Sequence, residues 1–461
     1  MTKSLWTAYE ICAATHSSLC SRDNWAATGI SINSKDINPG DLFVALKGEK
    51  VDGHAFLEEA FKKGAVAAVV DHAPPTPHHY VVVKNTFDAL SDIGRTARNR
   101  LEGKIIGVTG SAGKTSTKDM LALVLASFGK TYATKRSFNS TATVPLSLAS
   151  ADPSIDYGVF EVGMNHPGEI DRLTKMVRPH IGIVTNVAAA HLQNFSSVEA
   201  IAYEKGSLFL GVPSNGVAIL PGDNLQAKIL ETIARKNNIQ NIYMFGKSDH
   251  CHAKLLKSYE KNGLYNHEAT IFGKSCSFHF SMPGEHWAMN GLITLLTANA
   301  LGLDLEKACA VLSTFTPSER RGVPLFLRDN ILLIDESYNA NPLSMHSALE
   351  SFGLRTVEGK KIAILGDMRE LGEASESLHK DLKDAVLKSG TSILITYGDM
   401  MHHLHTAMEK SLECYHFNTL DSLIEKLFDI LKPNDAMMVK ASLSIGFIKI
   451  IHALQQKFLK E

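Results

Sequence analysis

The sequence predicts an α/β protein of three domains, and three observations carry that expectation. The chain has 461 residues, too many for one ordinary core. From about Lys104 onward, short apolar runs alternate with amphipathic helical stretches, the pattern of a doubly wound, mostly parallel sheet. A polar break containing Pro317, "FTPSERRG" at 315–322, interrupts that alternation before it begins again. Residues 1–102, 103–315 and 316–461 are therefore expected to be a small α/β domain, a central phosphate-loop domain and a C-terminal Rossmann-like α/β domain.

The first hundred residues are punctuated by Gly and Pro and hold the strand candidates "DLFVAL" (41–46), "AVAAVV" (65–70) and "YVVV" (80–83). "DHAPPTPHH", between the last two, reads as a solvated proline-rich loop despite its paired histidines. The central strand candidates are "IIGVTG", "YGVFEVG", "IGIVTNV", "GVAILPG" and "NIYMFG". Residues 251–283 read as short antiparallel strands around "EKNGLYN", followed by a helix from near Glu285. Beyond the break, "ILLIDESY", "KIAILGDM", "SILITYGD" and "AMMVKA" alternate with helical stretches such as "LHKDLKDAVLKSG".

Composition excludes several classes. At 44% hydrophobic the chain can bury sizeable cores, and a net charge of -1 argues against nucleic acid or a membrane surface held by charge alone. The six cysteines have no CxxC spacing, so free thiols in a reducing compartment are expected. The N-terminal residues do not read as a signal peptide, and no run approaches the ~18 apolar residues of a spanning helix. A cytoplasmic protein without membrane insertion is expected.

"VTGSAGKTS" (108–116) sits between an apolar strand candidate and a helix candidate. Gly110 and Gly113 permit a tight turn, and the N–H groups from Ser111 through Ala112 to Thr115 suit a phosphate. Lys114 offers a point charge to the β- and γ-phosphates, and the Thr115 hydroxyl suits Mg²⁺. The full GxxxxGK[ST] pattern is absent, because Val108 occupies the first glycine position. Glu161 ends the next apolar strand, so its carboxylate should face the same site and could hold Mg²⁺ or cap a turn. His191 lies just past another strand end, and Lys205 sits on a helix candidate. On residue type alone these two read as a structural histidine and a solvated lysine.

The motifs "GSAGKTS", "EVGMNHPGEI", "TNVAAAHL", "MPGEHWAMN" and "IDESYNANPLSM", in this order, resemble the Mur ligases over nearly the whole chain. "YNANP" and "LGDMRELG" (365–372) are the most specific marks, and "ISINSKDINPGDLFVALKGEKVDGHAF" fits that family's UDP-sugar domain. The resemblance implies an ATP loop from Gly110 to Ser116, with Thr115 and Glu161 holding one Mg²⁺. It implies a second Mg²⁺ supported by His191 and by Lys205, the latter as a carbamate formed with CO₂. Asn290 then matches a residue near the adenine, and Arg321 and Asp335 match groups that reach the nucleotide when domains close. Tyr338, Asn339 and Asn341 match a motif lining the interdomain cleft. Ser34, Lys35, Asp52, Gly53 and His54 match UDP-substrate positions, with Asn139 and Ser140 nearby.

The chain departs from the family pattern at Lys35, where arginine is usual and a bidentate fork is lost. It departs also at Ser140, Thr143 and Leu443, which stand for asparagine, glycine and arginine, and at "KGSL". The resemblance implies a monomeric enzyme that joins D-Ala-D-Ala to UDP-MurNAc-tripeptide through an acyl phosphate. Three rivals are the ligase that adds the third amino acid, a folate-polyglutamate ligase and a nucleotide-binding regulator. "YNANP" argues against the first, the UDP domain against the second, and the presence of Glu161, His191 and Lys205 against the third.

Overall fold

The computed structural model describes residues 4–458 except 18, 21–23, 49–50 and 73–76. Its three larger sheets are each covered by helices and succeed one another along the chain. The first has the spatial order 19–20, 80–82, 67–70, 41–44, 29–31, parallel except at the 19–20 edge. The expected strands at 41–46, 65–70 and 80–83 are all present, shortened at their ends. Part of the "DHAPPTPHH" segment lies outside the described residues. His78 is not simply solvated, because its ring stacks on Phe61 with centroids 3.9 Å apart.

The central sheet has nine strands, in the order 274–280, 264–271, 253–261, 241–246, 217–221, 181–184, 104–109, 157–161, 131–133. The seven from 253–261 to 131–133 are parallel, and the first two add an antiparallel ribbon. Asn262 and Gly263 turn the 253–271 hairpin with φ of 55° and 75°. Two consecutive positive φ values match the right-handed twist of the strands, which explains the Asn-Gly pair. The helix expected near Glu285 runs Glu285–Ala300 and packs on helix Lys114–Ala126.

Strand Lys104–Thr109 is buried from Ile105 onward, as expected of a strand covered on both faces. Its neighbours are 157–161 on one side and 181–184 on the other, with Glu161 opposite Val108 and Val184 opposite Thr109. The chain leaves this strand toward one side and later returns on the other. That makes its C-terminal end a topological switch point, where ligands bind in such sheets.

The third sheet has the order 323–326, 332–335, 436–440, 361–366, 393–397, 413–417, parallel except at the 323–326 edge. One apolar core runs from Trp6 and Ile93 to Phe160 and Phe209, so the first and central sheets share it. Arg98 adds a polar tie between them, donating to the carbonyls of Val177 at 2.6 Å and Arg178 at 2.8 Å. Burial lowers its guanidinium pKa to about 10. Cys251, Cys276, Cys309 and Cys414 are free. Cys12 is disulfide-bonded, against the expectation of free thiols throughout; linear spacing does not report proximity in the fold.

Gly110 has φ 152°, and a Cβ there would lie 1.9 Å from Thr185 Oγ1. Gly110→Ala is therefore expected to push the loop off the adjacent strand end, lowering stability by about 1–3 kcal/mol. Thermal unfolding and ADP titration check this. An unchanged melting temperature with intact ADP affinity would contradict the tight approach.

Candidate active site

The loop 110–113 leads into the first turn of helix Lys114–Ala126 at the end of strand Lys104–Thr109. Gly113 has φ 78°, and a Cβ there would meet Asn290 Oδ1 at 2.9 Å. Thr185 and Asn186, just past strand 181–184, clasp the loop from the side. Thr185 Oγ1 donates to Ala112 O at 2.6 Å and Asn186 Nδ2 to the same carbonyl at 3.1 Å. In return Ser111 N–H donates to Asn186 O at 3.1 Å and Ala112 N–H to Asn186 Oδ1 at 2.9 Å. This corrects the expectation that the N–H groups of Ser111 and Ala112 face phosphate: the clasp has taken both. The N–H groups from Gly113 through Ser116 remain, since the first turn of a helix has no carbonyl to bond them.

Lys114 folds back, its ammonium donating to Gly110 O at 2.8 Å. Burial lowers its pKa and the Glu161 carboxylate opposes that. Thr115 Oγ1 donates to Glu161 Oε2 at 2.8 Å, and Asn139 Nδ2 donates to Glu161 Oε1 at 2.7 Å. Both carboxylate oxygens thus meet polar groups in a buried position, an oxygen-rich setting that suits a hard cation. Ser137 Oγ lies 3.0 Å from Thr115 Oγ1. The buried Lys118 holds that segment down, donating to Thr134 O at 2.8 Å and Arg136 O at 2.7 Å.

Lys205 overturns the reading of a solvated lysine. It lies on helix Val198–Gly206 and is among the largest fully buried side chains, at 2% exposure. Its ammonium's one hydrogen-bond partner among the described residues is Met164 Sδ, 3.8 Å away. Helical periodicity could not reveal this, because the helix is covered on the side that carries Lys205. Burial drives its pKa well below the ordinary lysine value, and the charge of Lys114 lowers it further. The neighbouring Glu204 cannot neutralise it fully, as its oxygens accept the N–H groups of Gly168 at 2.8 Å and Ile170 at 2.7 Å.

The C-terminal segment closes over this cluster. Arg321 Nη2 donates to Thr115 Oγ1 at 3.0 Å and to Ser137 Oγ at 3.1 Å, and its guanidinium lies 4.2 Å from the Tyr338 ring centroid. Asn341 Nδ2 donates to Ser111 O at 3.0 Å while Asn341 Oδ1 caps helix Pro342–Gly353 through Ser344 N–H at 2.9 Å. His191 Nδ1 is hydrogen-bonded to the Glu370 carboxylate.

Family models match three consecutive stretches: the Mur ligase family catalytic domain over 26–100, the Mur ligase middle domain over 108–298, and the Mur ligase glutamate ligase domain over 325–443. The UDP-N-acetylmuramoyl-tripeptide–D-alanyl-D-alanine ligase of Rickettsia prowazekii is 31% identical over 92% of this chain and 95% of its own. The chain belongs to the Mur ligase family. A crystal structure of MurF from Acinetobacter baumannii superposes with TM-score 0.86 at 26% identity, over 98% of this chain and 99% of that one. MurF ligase from Thermotoga maritima, solved in complex with ADP, gives 0.79 at 25% identity, over 93% and 97%. This Mur ligase is an ATP-dependent ligase with the three-domain α/β fold of those proteins.

The remaining expected site residues of this Mur ligase are more dispersed. Asn290 is buried beneath the loop and accepts from Thr117 Oγ1 at 3.2 Å, so it braces Gly113 from below. Asp335 is buried at the end of strand 332–335 and accepts from Ser337 N–H at 2.9 Å, and burial raises its pKa. Asn339 O accepts from Lys440 Nζ at 2.9 Å. In the N-terminal domain, Ser34 Oγ donates to Glu59 Oε2 at 2.7 Å and Lys35 is exposed. Asp52 Oδ1 meets His54 Nδ1 at 2.6 Å within the turn, and His54 Nε2 accepts from Asp71 N–H at 3.1 Å, which ties the turn to the end of strand 67–70. Gly53 is required there, as a Cβ would lie 2.7 Å from Leu46 O. Arg136 Nη1, 3.8 Å from Asp36 Oδ2, links this region to the segment bearing Asn139.

Two departures from the family pattern answer each other. Ser140 N–H donates to Thr143 Oγ1 at 2.9 Å and Thr143 N–H to Ser140 Oγ at 3.3 Å, a reciprocal pair at the start of helix Thr143–Ser150. Leu443 is 52% exposed, and nothing in the structure explains it. Ser137, Lys118, Asn186 and Glu370 were not assigned from sequence. Glu370 lies in "LGDMRELG" and Asn186 in "TNVAAAHL", both motifs singled out above.

Proposed function

We propose that this cleft transfers the γ-phosphoryl group of ATP to the terminal carboxylate of UDP-MurNAc-tripeptide. The amine of D-Ala-D-Ala then attacks the acyl carbon and phosphate leaves, giving UDP-MurNAc-pentapeptide, ADP and phosphate. The observation that carries this reading is the hydrogen-bonded cluster of Thr115, Glu161, Asn139, Ser137 and Arg321, drawn from two domains onto one phosphate loop. The reading assigns residues 1–102 to the UDP-substrate, 103–315 to ATP and 316–461 to closure, and it places the reaction in the cytoplasm.

Thr115 and Glu161 would hold one Mg²⁺, and His191 with the carbamate of Lys205 the other. When bound, these ions neutralise the oxygens of two anionic reactants so that they can approach. Lys114 swings from Gly110 O to the β- and γ-phosphates. Arg321 adds charge from the closing side, and that closure keeps water from the acyl phosphate. The carbamate is supported by the burial of Lys205 without a carboxylate partner, which favours its neutral amine. That amine attacks CO₂, a C–N bond forms, and one proton leaves to solvent. The product is an anionic oxygen donor facing Lys114.

Release of phosphate that requires both UDP-MurNAc-tripeptide and D-Ala-D-Ala tests the reaction, and release without either would overturn it. Arg321→Ala is expected to lower ATP-dependent turnover about 10- to 100-fold, the scale of a lost charged hydrogen bond. Binding of the UDP-substrate, measured by calorimetry, should stay within a few-fold of wild type. Equal loss of both in a folded variant would contradict the assignment.

A further inference from the structure

The loop carrying "LGDMRELG" has no part in the reaction as assigned, yet it is built rigidly and aimed across the domain boundary. Asp367 Oδ1 accepts from Met401 N–H at 2.9 Å, Met368 N–H donates to His379 Nε2 at 2.9 Å, and Arg369 N–H donates to Ser442 Oγ at 2.9 Å. Met368 and Leu371 are buried. Between them Glu370 is turned outward with φ 65°, and the residue it meets, His191, has φ 57°. Both are non-glycine residues in the sparsely populated left-handed region, where surrounding structure must hold them. The contact is more than one side-chain pair. Glu370 O accepts from Gln193 N–H at 3.1 Å, and a Cβ on Gly372 would lie 3.3 Å from Gln193 Cα.

We propose that Glu370 is a positioning residue for His191. By accepting the Nδ1 hydrogen it leaves the Nε2 lone pair of His191 for the second Mg²⁺, and it does so only when the C-terminal domain is closed. The inference rests on the reading above that His191 serves that ion. Imidazole is an intrinsically weak ligand for Mg²⁺, so its contribution depends on being held in the right tautomer and orientation. A carboxylate delivered by the opposite domain supplies both and couples completion of the metal site to closure.

The test counts Mn²⁺ bound to the full chain with a non-hydrolysable ATP analogue, by electron paramagnetic resonance, for wild type, Glu370→Ala, Glu370→Gln and His191→Ala. Glu370→Ala is expected to weaken the second Mn²⁺ tenfold or more, with analogue affinity within threefold of wild type. Glu370→Gln should stay within threefold, because its amide oxygen still accepts the Nδ1 hydrogen; a role of the carboxylate's charge alone would not give this rescue. If His191→Ala loses the second ion and Glu370→Ala does not, the positioning role is overturned and the metal assignment stands. Full binding of both ions by His191→Ala overturns the metal assignment itself. Nitrogen-15 spectra of the wild-type histidines with the analogue bound provide a check that needs no variant: His191 protonated on Nε2 alone would overturn the inference.

Discussion

Lys114→Ala is expected to lower kcat at least ~100-fold at saturating ATP. Lys114 is the cation proposed to meet the phosphates; it is half-buried, and its ammonium donates to Gly110 O. Fixed groups aimed at developing charge are worth about 3 kcal/mol or more in a site sheltered from water. The substitution removes that charge and leaves the Glu161 carboxylate less balanced. Folding should survive, since the loop is clasped by Thr185 and Asn186 rather than by Lys114. Single-turnover phosphate release with both substrates present measures the effect. A near-normal rate would mean that the loop does not hold the transferred phosphate.

Lys205→Ala is expected to lose activity on a similar scale, ~100-fold or more, and small carboxylates such as formate should restore part of it. The burial of Lys205 makes this sharper than the sequence suggested. An ammonium at 2% exposure with only a thioether for a partner is costly, so the amine is favoured over the cation. On the proposed reading, conversion to a carbamate would exchange repulsion from Lys114 for attraction. Formate or acetate can fill the vacated oxygen-donor position in the variant. Carbon-13 bicarbonate labelling of the wild type, read by magnetic resonance, should give a carbamate signal that Lys205→Ala lacks. A fully active Lys205→Ala enzyme would end the carbamate assignment and weaken that of His191.

The strand–glycine turn–helix was legible because its parts are contiguous: a buried strand, two glycines with positive φ, and a helix start lie within a dozen residues. Glu161 was legible because a carboxylate ending a parallel strand has only one direction to face. The burial of Lys205 was not legible, as it depends on what packs against helix Val198–Gly206. The capture of the Ser111 and Ala112 N–H groups was hidden for the same kind of reason, since their partner Asn186 lies 74 positions from Ala112.

The sequence by itself determined the α/β class, the strands and their order along the chain, and the glycine turn between the strand ending at Thr109 and the helix starting at Lys114. Periodicity, turn residues and short motifs are local properties, and those features are local. Only the tertiary structure decided that Arg321 reaches Thr115 from 206 positions away and that Glu370 meets His191 from 179. Such pairings depend on how two sheets from different parts of the chain dock. Docking is set by shape and polar complementarity across the cleft, which no stretch of sequence contains on its own.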